Sequence, residues 1–219
     1  PWWARYAFMQ TAMTIGSSYP LRPLLHGRQD ARQNSHTIKS LAADYQDVAP
    51  VMVAAAIAEQ ASDVERLFGI DLWERAALSV LPSKQDMSRG IAQLRPSEQA
   101  GLGLAGDLFD PATAIEGMYA KVSAASARIG ELDPSESLAP TDRCMLLALA
   151  QNSGTGVVDQ FFQANKDWAT MLDPGKGNNA RILRYFTLHL DWLLQEGWEL
   201  PDGVDKDRWR QIVFADQQG

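Results

Sequence analysis

The stretch Val51-Met-Val-Ala-Ala-Ala-Ile-Ala58, which Glu59 follows, decides how this chain folds. An unbroken apolar run of this kind is typical of a helix that is buried on all of its sides. Pro50 precedes the run, and the first turn of a helix tolerates proline. Polar residues become frequent after Glu59. A helix from Pro50 to about Phe68 is therefore predicted, with Glu59 where its buried part meets solvent or a cleft.

A second segment, Gly90-Ile-Ala-Gln-Leu-Arg-Pro-Ser97, follows a polar loop at residues 82–89. Gly90 allows backbone conformations that other residues avoid and a close approach of the backbone to another group. Gln93 carries both a hydrogen-bond donor and an acceptor. Residues Ser88 to Gln93 are expected to form either one leg of a minimal β-hairpin around residues 80–93 or a turn, and Pro96 is expected to begin a short helix.

The remainder of the chain reads as helices that Gly and Pro separate. Asp110-Pro111 is a helix start, and an apolar stripe at spacings of three and four follows until Gly130, formed by Ile115, Met118, Val122, Ala125 and Ile129. Further helices are predicted over residues 38–48, 72–81, 143–151, 157–172, 178–196 and 205–214. Residues 17–37 are polar and contain Pro and Gly, which predicts an irregular arm. The predicted fold class is mainly α, with residues 1–37 as an N-terminal helix and arm that pack on a helical domain at 38–219.

Composition excludes several classes of function. The 219-residue chain is 46% hydrophobic and carries a net charge of −7, so nucleic acid, which attracts clustered Lys and Arg, is not an expected partner. The run at Val51–Ala58 is too short to span a membrane. One cysteine and three scattered His residues predict no metal site, and Cys144 is expected to be a small buried side chain. The chain begins at Pro1 without a signal-peptide pattern, so any targeting segment is expected to lie outside it.

Four segments together carry a resemblance to a known family: Ala55-Ala-Ile-Ala-Glu59-Gln60, Gly90 to Ser97, Asp110-Pro-Ala-Thr-Ala-Ile115 and Ala148-Leu-Ala-Gln151-Asn152-Ser-Gly154. In this order and spacing they resemble the lysozyme-like superfamily, in its lytic transglycosylase and goose-type lysozyme branch. That family has an apolar helix ending in the catalytic Glu, a Gly-Leu-Met-Gln loop, a helix that starts with Asp-Pro and a Tyr-Asn-(Ala/Gly)-Gly break. The resemblance covers about residues 51–156.

The resemblance implies a glycosidase that cleaves the β-1,4 bond between N-acetylmuramic acid (MurNAc) and N-acetylglucosamine (GlcNAc) in peptidoglycan. Glu59 would be the general acid and base, because a glycosidic oxygen leaves readily only once it is protonated. Desolvation is expected to raise the pKa of Glu59 and so keep its proton near neutral pH. The mechanism is either that of a lytic transglycosylase, in which the 6-hydroxyl of MurNAc attacks, or that of a hydrolytic muramidase. Asp86 is the best candidate for a second carboxylate in the hydrolytic case.

The candidate glycan-binding residues come from the same segments and from the helix between them. They are Gly90, which would let the backbone approach a sugar ring, Gln93 and Asn152, which would hydrogen-bond the sugar or the acid, and Gln151 and Tyr119, which would line the cleft. Each candidate also has a structural alternative. These alternatives are a solvated helix end or an ion pair for Glu59, a loop-fixing role for Gln93, a left-handed helix end for Asn152, a solvated loop position for Asp86 and a core position for Tyr119.

Three departures from the family pattern leave other functions open. Gln60 replaces the usual Ser, Ala92 the usual Met and Gln151 the usual Tyr, which motivates a catalytically inactive glycan-binding or structural module of the same fold. The negative charge suits a cationic polymer, so a chitinase- or chitosanase-like hydrolase is a further alternative. A helical interaction domain, suggested by Trp2-Trp3, is the last. The expected partner is peptidoglycan or a related amino-sugar polymer, the expected location is the cell envelope, the periplasm or the cell exterior, and no cofactor is expected.

Overall fold

The computed structural model describes residues 21–60, 86, 88–173, 175 and 177–215. Over these residues the chain is mainly helical and forms no β-strand, which confirms the predicted mainly α class. No described helix is long and apolar enough to cross a membrane. The described helices, in chain order, are α1 Leu21–Gln33, α2 Ser35–Leu41, α3 Pro50–Gln60, α4 Pro96–Gly101, α5 Pro111–Leu132, α6 Pro140–Ser153, α7 Gly156–Gln163, α8 Trp168–Met171, α9 Asn179–Gln195 and α10 Lys206–Val213.

Backbone contacts divide the chain into two compact units. Unit 1 contains residues 1–36 and 57–117, and unit 2 contains residues 37–56 and 118–219. The boundaries between the units fall within α3 and α5. The predicted division into 1–37 and 38–219 stays a prediction.

Helix α3 has the burial that its sequence predicts. None of the residues from Val51 to Ala58 is more than 2% exposed, whereas Glu59 and Gln60 are half-buried. A helix that is apolar all round is stable only when other groups cover all of its sides. The predicted continuation of this helix to Phe68 lies outside the described residues.

The irregular arm predicted for residues 17–37 is wrong from Leu21 onward, because α1 and α2 occupy this stretch. Pro23 lies in the first turn of α1, where backbone N–H groups have no partner within the helix and a proline costs little. At the other end, the Asn34 side-chain nitrogen donates to the Asp30 carbonyl oxygen at 2.9 Å and closes the helix. Ala31 of α1 has no exposed surface, and α1 belongs to unit 1.

Helix α6 is the central element of unit 2 and packs against α7, α9 and α10. Every residue from Cys144 to Gln151 is buried. The prediction for Cys144 is confirmed, since its side chain is 5% exposed and burial raises the pKa of its thiol to about 11.

A buried carboxylate joins three helices of unit 2. Asp142, in the first turn of α6, accepts a hydrogen bond from Trp168 Nε1 of α8 at 2.9 Å. Arg208 Nη2 of α10 donates to both oxygens of Asp142 at 2.8 and 2.7 Å. The neighbouring Thr141 hydroxyl accepts from the Asp205 backbone N–H at 2.8 Å, just before α10 begins. A buried charge is tolerated only when it is paired and hydrogen-bonded, so these helices depend on one another.

The single helix predicted over residues 157–172 is wrong, because the structure has α7 and α8 with a break between them. Asn165 and Lys166 adopt positive φ angles of 55° and 61°. Asp167 then accepts backbone N–H bonds from Ala169 and Thr170 at 3.0 and 3.2 Å and caps α8. A side-chain cap of this kind starts a new helix without Gly or Pro, which are the strongest sequence signals of a break.

The end of α5 also differs from its prediction, since the helix passes Gly130 and ends at Leu132. Asp133 follows, and its carboxylate is 5% exposed. It accepts from the Ser137 hydroxyl at 2.6 Å and from the Leu138 backbone N–H at 2.7 Å. Lys166 Nζ lies 3.5 Å from it. Hydrogen bonds from Ser137 and Leu138 and the charge of Lys166 lower the pKa of Asp133 despite its burial.

Candidate functional site

Glu59 lies in the last turn of α3, directly after the fully buried Ala58. Its side chain is half-buried. The helix therefore changes from buried to partly exposed residues at Glu59, which is the position that the sequence predicts.

The first part of the second motif, with the two residues before it, forms a tight turn in unit 1. The Arg89 N–H donates to the Leu94 carbonyl at 2.8 Å and the Leu94 N–H donates back at 3.2 Å, while the Gln93 N–H donates to the Gly90 carbonyl at 3.1 Å. We call residues 88–94 the SQ turn. The pairing of Arg89 with Leu94 is an isolated antiparallel bridge, so the described part of the predicted hairpin is one bridge and not two strands. Residues 80–85 and 87 lie outside the described residues.

Gly90 is required by the fit of the SQ turn against its own unit. Its φ angle is 68°, and a Cβ atom added to it would lie 1.9 Å from the Leu108 carbonyl oxygen. Gly90 itself is buried. The prediction that Gly90 lets the backbone approach a sugar ring is therefore corrected, because the group it approaches is the Leu108 backbone.

The far end of the SQ turn is anchored by Leu94, which has no exposed surface. A Cβ atom on Gly117 of α5 would lie 2.2 Å from Leu94 Cδ1. The turn is thus fixed at Gly90 by the Leu108 backbone and at Leu94 by packing on a helical glycine.

Gln93 is the one residue of the SQ turn with an unfavourable backbone conformation for its type. Its φ angle is 47°, in the left-handed region that side chains with a Cβ atom rarely adopt. Its Nε2 donates to the Gly90 carbonyl at 2.9 Å, and its Oε1 accepts from the Ser88 hydroxyl at 3.0 Å. Both polar atoms of the amide therefore bind groups of the same turn, as the loop-fixing alternative predicts.

Asp86 is exposed and binds the start of α4. Its two oxygens accept from the Ser97 backbone N–H at 2.8 Å and from the Ser97 hydroxyl at 2.6 Å. These hydrogen bonds, with the charges of Arg95 and Arg89, lower the pKa of Asp86. Asp86 is accordingly an ionised cap on a short helix, and it has no proton to donate near neutral pH.

Tyr119 and Gln151 lie in unit 2 and are buried. The Tyr119 ring stacks on Tyr45 with centroids 5.1 Å apart, its hydroxyl donates to the Ile38 carbonyl at 2.8 Å, and burial raises its pKa. Tyr119 has no exposed surface and Gln151 is 1% exposed. The prediction that they line a cleft is therefore corrected, because neither presents a surface to a ligand.

Asn152, in the last turn of α6, is exposed. Gly154 has a φ angle of 74° and donates to the Ala150 carbonyl at 2.8 Å, so Gly154 ends the helix and the left-handed alternative for Asn152 is wrong. Glu59, Asp86, Gly90 and Gln93 belong to unit 1, whereas Asn152 belongs to unit 2.

A groove of about 490 Å³ lies elsewhere in unit 2, beside α8, α9 and the end of α10. Its walls are mostly apolar and include Trp168, Leu172 and Val213. No predicted site residue lines it. Among the described residues, no group of three or more His, Cys, Asp or Glu side chains is arranged to hold a metal ion.

Ser88 and Leu108 support the SQ turn, and neither was among the residues that the sequence singled out. A signal for Ser88 exists in the pattern Ser88-Arg-Gly90-Ile-Ala-Gln93. Once residues 89 and 94 pair, a hydroxyl at 88 comes within reach of the side chain at 93. Leu108 carries no such signal, since its contact with Gly90 arises only in the folded unit.

Comparison with known proteins gives no relative: no family model, curated protein or solved structure matches the chain.

Proposed function

We propose that this chain is a lysozyme-like helical domain that cleaves the β-1,4 MurNAc–GlcNAc bond of peptidoglycan, with Glu59 as the general acid and base. The observation that carries the proposal is the position of Glu59, half-buried at the end of a helix whose preceding turns are fully buried. Partial desolvation favours the protonated form of a carboxyl group, which is the form that can protonate a glycosidic oxygen.

In the proposed reaction, Glu59 first donates its proton to the oxygen of the leaving sugar. The resulting carboxylate then accepts a proton from the attacking hydroxyl group. Asp86 is committed to Ser97 through both of its oxygens, which favours a mechanism with one carboxylate over the usual pair. The proposal therefore names the 6-hydroxyl of MurNAc as the attacking group and a 1,6-anhydro sugar as the product.

The proposed partner is peptidoglycan, and the proposed location is the cell envelope, the periplasm or the cell exterior. Asn152 belongs to unit 2, and its contact with the glycan stays a prediction from the resemblance. Tyr119 and Gln151 are not part of the proposed site. Gly90 and Gln93 belong to it as the framework of the SQ turn.

The direct test is the Glu59→Gln variant in a turbidity-clearing assay on purified cell walls. The amide keeps the size of the side chain but cannot act as an acid near neutral pH, so we expect clearing to fall by about 100-fold or more. Glu116→Gln, which changes a half-buried Glu of α5 in unit 1, is the matched control and should clear walls as the wild type does. Clearing by Glu59→Gln at the wild-type rate would remove the catalytic assignment.

Product analysis by mass spectrometry tests the mechanism separately. A 1,6-anhydro end on the released fragments fits the one-carboxylate reaction, whereas a reducing end means hydrolysis. Cleavage of chitin or chitosan in place of peptidoglycan would instead favour the chitinase- or chitosanase-like alternative.

A catalytically inactive glycan-binding module of the same fold is the second candidate function. It is favoured because four of the candidate residues lie buried or make contacts inside their own units, namely Gly90, Gln93, Tyr119 and Gln151. Sedimentation of the protein with cell walls, without any clearing or release of soluble fragments, is the result expected from that module.

A further inference from the structure

We propose that Ser88 is a positioning residue of the candidate site, and that Gln93 acts through the shape of the SQ turn and not by contacting the glycan. This inference rests on the proposed function and goes beyond it by changing the role of one residue and adding another. The observation behind it is the pair of hydrogen bonds that hold the Gln93 amide inside its own turn.

The Ser88 hydroxyl and the Gly90 carbonyl hold the two polar atoms of the Gln93 amide. Gln93 Nε2 donates to the Gly90 carbonyl at 2.9 Å, and the Ser88 hydroxyl donates to Gln93 Oε1 at 3.0 Å. A carbonyl oxygen can only accept a hydrogen bond, whereas a serine hydroxyl can donate and accept. The Gly90 carbonyl therefore selects the orientation of the amide, and Ser88 holds the remaining oxygen in place.

The two side-chain bonds offset an unfavourable backbone conformation. Gln93 has a φ angle of 47°, which Gly or Asn adopts at lower cost. The turn keeps a glutamine because its side chain reaches back to Gly90 and to Ser88. Loss of either bond therefore weakens the conformation of the whole turn.

The lock acts on the centre of the turn. Gly90 packs against the Leu108 backbone and Leu94 is fully buried, so packing holds both of these residues. Between them, Ile91 and Gln93 are half-buried and Ala92 is 2% exposed. Ile91 and Gln93 therefore keep some exposed surface, and the bonds to Ser88 and Gly90 hold Gln93 in its conformation.

A double-mutant cycle tests this role on soluble glycan strands released from peptidoglycan. We expect Ser88→Ala to lower kcat/KM by about fivefold, the net effect of one neutral hydrogen bond, and Gln93→Ala, which removes two such bonds, to lower it by about 25-fold. The loss should lie mainly in kcat, since no group that binds the glycan is removed. The double variant should lose no more than Gln93→Ala alone, because Ser88 acts through the Gln93 amide. Ser88→Thr, which keeps the hydroxyl, should recover the activity to within about twofold of the wild type.

Two controls separate a positioning role from general damage. Ser123→Ala removes a surface hydroxyl that hydrogen-bonds Asp47 in unit 2 at 3.0 Å and should leave kcat/KM unchanged. The free energy of unfolding of every variant, measured in urea, shows whether the protein is still folded under assay conditions. Full activity of Ser88→Ala together with a loss in Gln93→Ala would overturn the proposal, since the hydrogen bond from Ser88 would then contribute nothing to the site.

Failure of this inference differs from failure of the proposed function. If the wild type clears walls through Glu59 and Ser88→Ala is as active as the wild type, only the positioning role is lost. If the wild type cleaves no glycan, the catalytic proposal falls and the role of Ser88 in that reaction falls with it. The ¹H–¹⁵N spectrum then still reports on the lock, because the Gln93 side-chain amide resonances should shift in Ser88→Ala and return in Ser88→Thr. Unchanged amide resonances in Ser88→Ala would show that the lock does not exist.

Discussion

In each of two loops of the molecule, an aspartate accepts hydrogen bonds from a serine hydroxyl and from a backbone N–H. The two aspartates differ in burial and in nearby charge. In unit 1, Asp86 binds Ser97 at the start of α4. In unit 2, Asp133 binds Ser137 and Leu138 at the end of α5. Asp86 is exposed, whereas Asp133 is 5% exposed and lies 3.5 Å from Lys166.

The difference teaches that burial, and not the hydrogen-bond pattern, decides what such an aspartate contributes. An exposed carboxylate exchanges water for its new partners at little gain, while a buried one that loses a partner leaves an uncompensated charge. The loop around Asp86 is also held by the contact of Gly90 with the Leu108 backbone. The loop after α5 depends on Asp133 itself.

The largest expected effect is that of Gly90→Ala. The added Cβ atom would clash with the Leu108 carbonyl oxygen, and alanine would have to adopt a φ angle of 68°. We therefore expect the free energy of unfolding to fall by about 3 kcal/mol or more from the clash and the strain together. Gly103→Ala is the control, because Gly103 has a φ angle of 69° with no heavy atom near its Cβ position and should cost about 1–2 kcal/mol. Urea unfolding measures both values. Equal losses in the two variants would mean that the Leu108 contact does not hold the loop.

Asp133→Asn should have the next largest effect. An amide can accept from the Leu138 N–H and donate to the Ser137 oxygen, but it has no charge, so the charge-assisted hydrogen bonds and the attraction to Lys166 are lost. We expect the Tm to fall by about 5 °C, measured by circular dichroism. Glu136→Gln, an exposed change in the same loop, should stay within about 1 °C of the wild type. A Tm for Asp133→Asn that matches Glu136→Gln would remove the distinction between the two loops.

The contribution of Asp133 to stability should depend on pH. The folded pKa of Asp133 is lowered by Ser137, Leu138 and Lys166, so the unfolded state binds more protons in acid. Its contribution is therefore fully present above about pH 4, the unfolded pKa, and is lost as the pH falls through the folded pKa. The Tm difference between wild type and Asp133→Asn should shrink from pH 6 to pH 2. A difference that stays constant over this range would contradict the lowered pKa.

The smallest expected effect is that of Asp86→Asn. Asp86 is exposed and solvent screens its charge, so the Tm should change by about 1 °C or less and the change should shrink in high salt. Wall clearing should stay within about threefold of the wild type, because the Asp86 oxygens are engaged with Ser97. A loss of clearing by about 100-fold would instead restore Asp86 as a catalytic carboxylate.

Much of the fold could be predicted because apolar periodicity is a local property. The stripe from Ile115 to Ile129 predicts α5, and the run at Val51–Ala58 predicts the burial of α3. The break at Asn165 and Lys166 was not predicted because no Gly or Pro marks it, and its signals are the weaker ones of an Asn at a left-handed helix end and an Asp that caps the next helix. The errors therefore lie where one polar side chain outweighs the local pattern.

The candidate site was predictable only in part, for the same reason. The polarity change at Glu59 is visible in the sequence, and the structure finds the side chain half-buried there. The roles of Gly90 and Tyr119 depend on Leu108 and Ile38, which become neighbours only through tertiary packing. A residue type that suits ligand contact suits internal contact equally well, so the sequence alone could not decide between the two roles.

The buried carboxylate of Asp142, which joins α6, α8 and α10, has a consequence for the design of shortened or fused versions of this protein. Arg208 supplies the positive charge that neutralises Asp142, and Trp209 of the same helix is 1% exposed. A truncation before Asp205 would remove that charge and expose the surface that the Trp209 ring covers. It would also leave the buried Asp142 carboxylate in unit 2 without its ion pair. Any shortened version should therefore retain α10, and a tag is best attached after residue 215, beyond the last described contact of that helix.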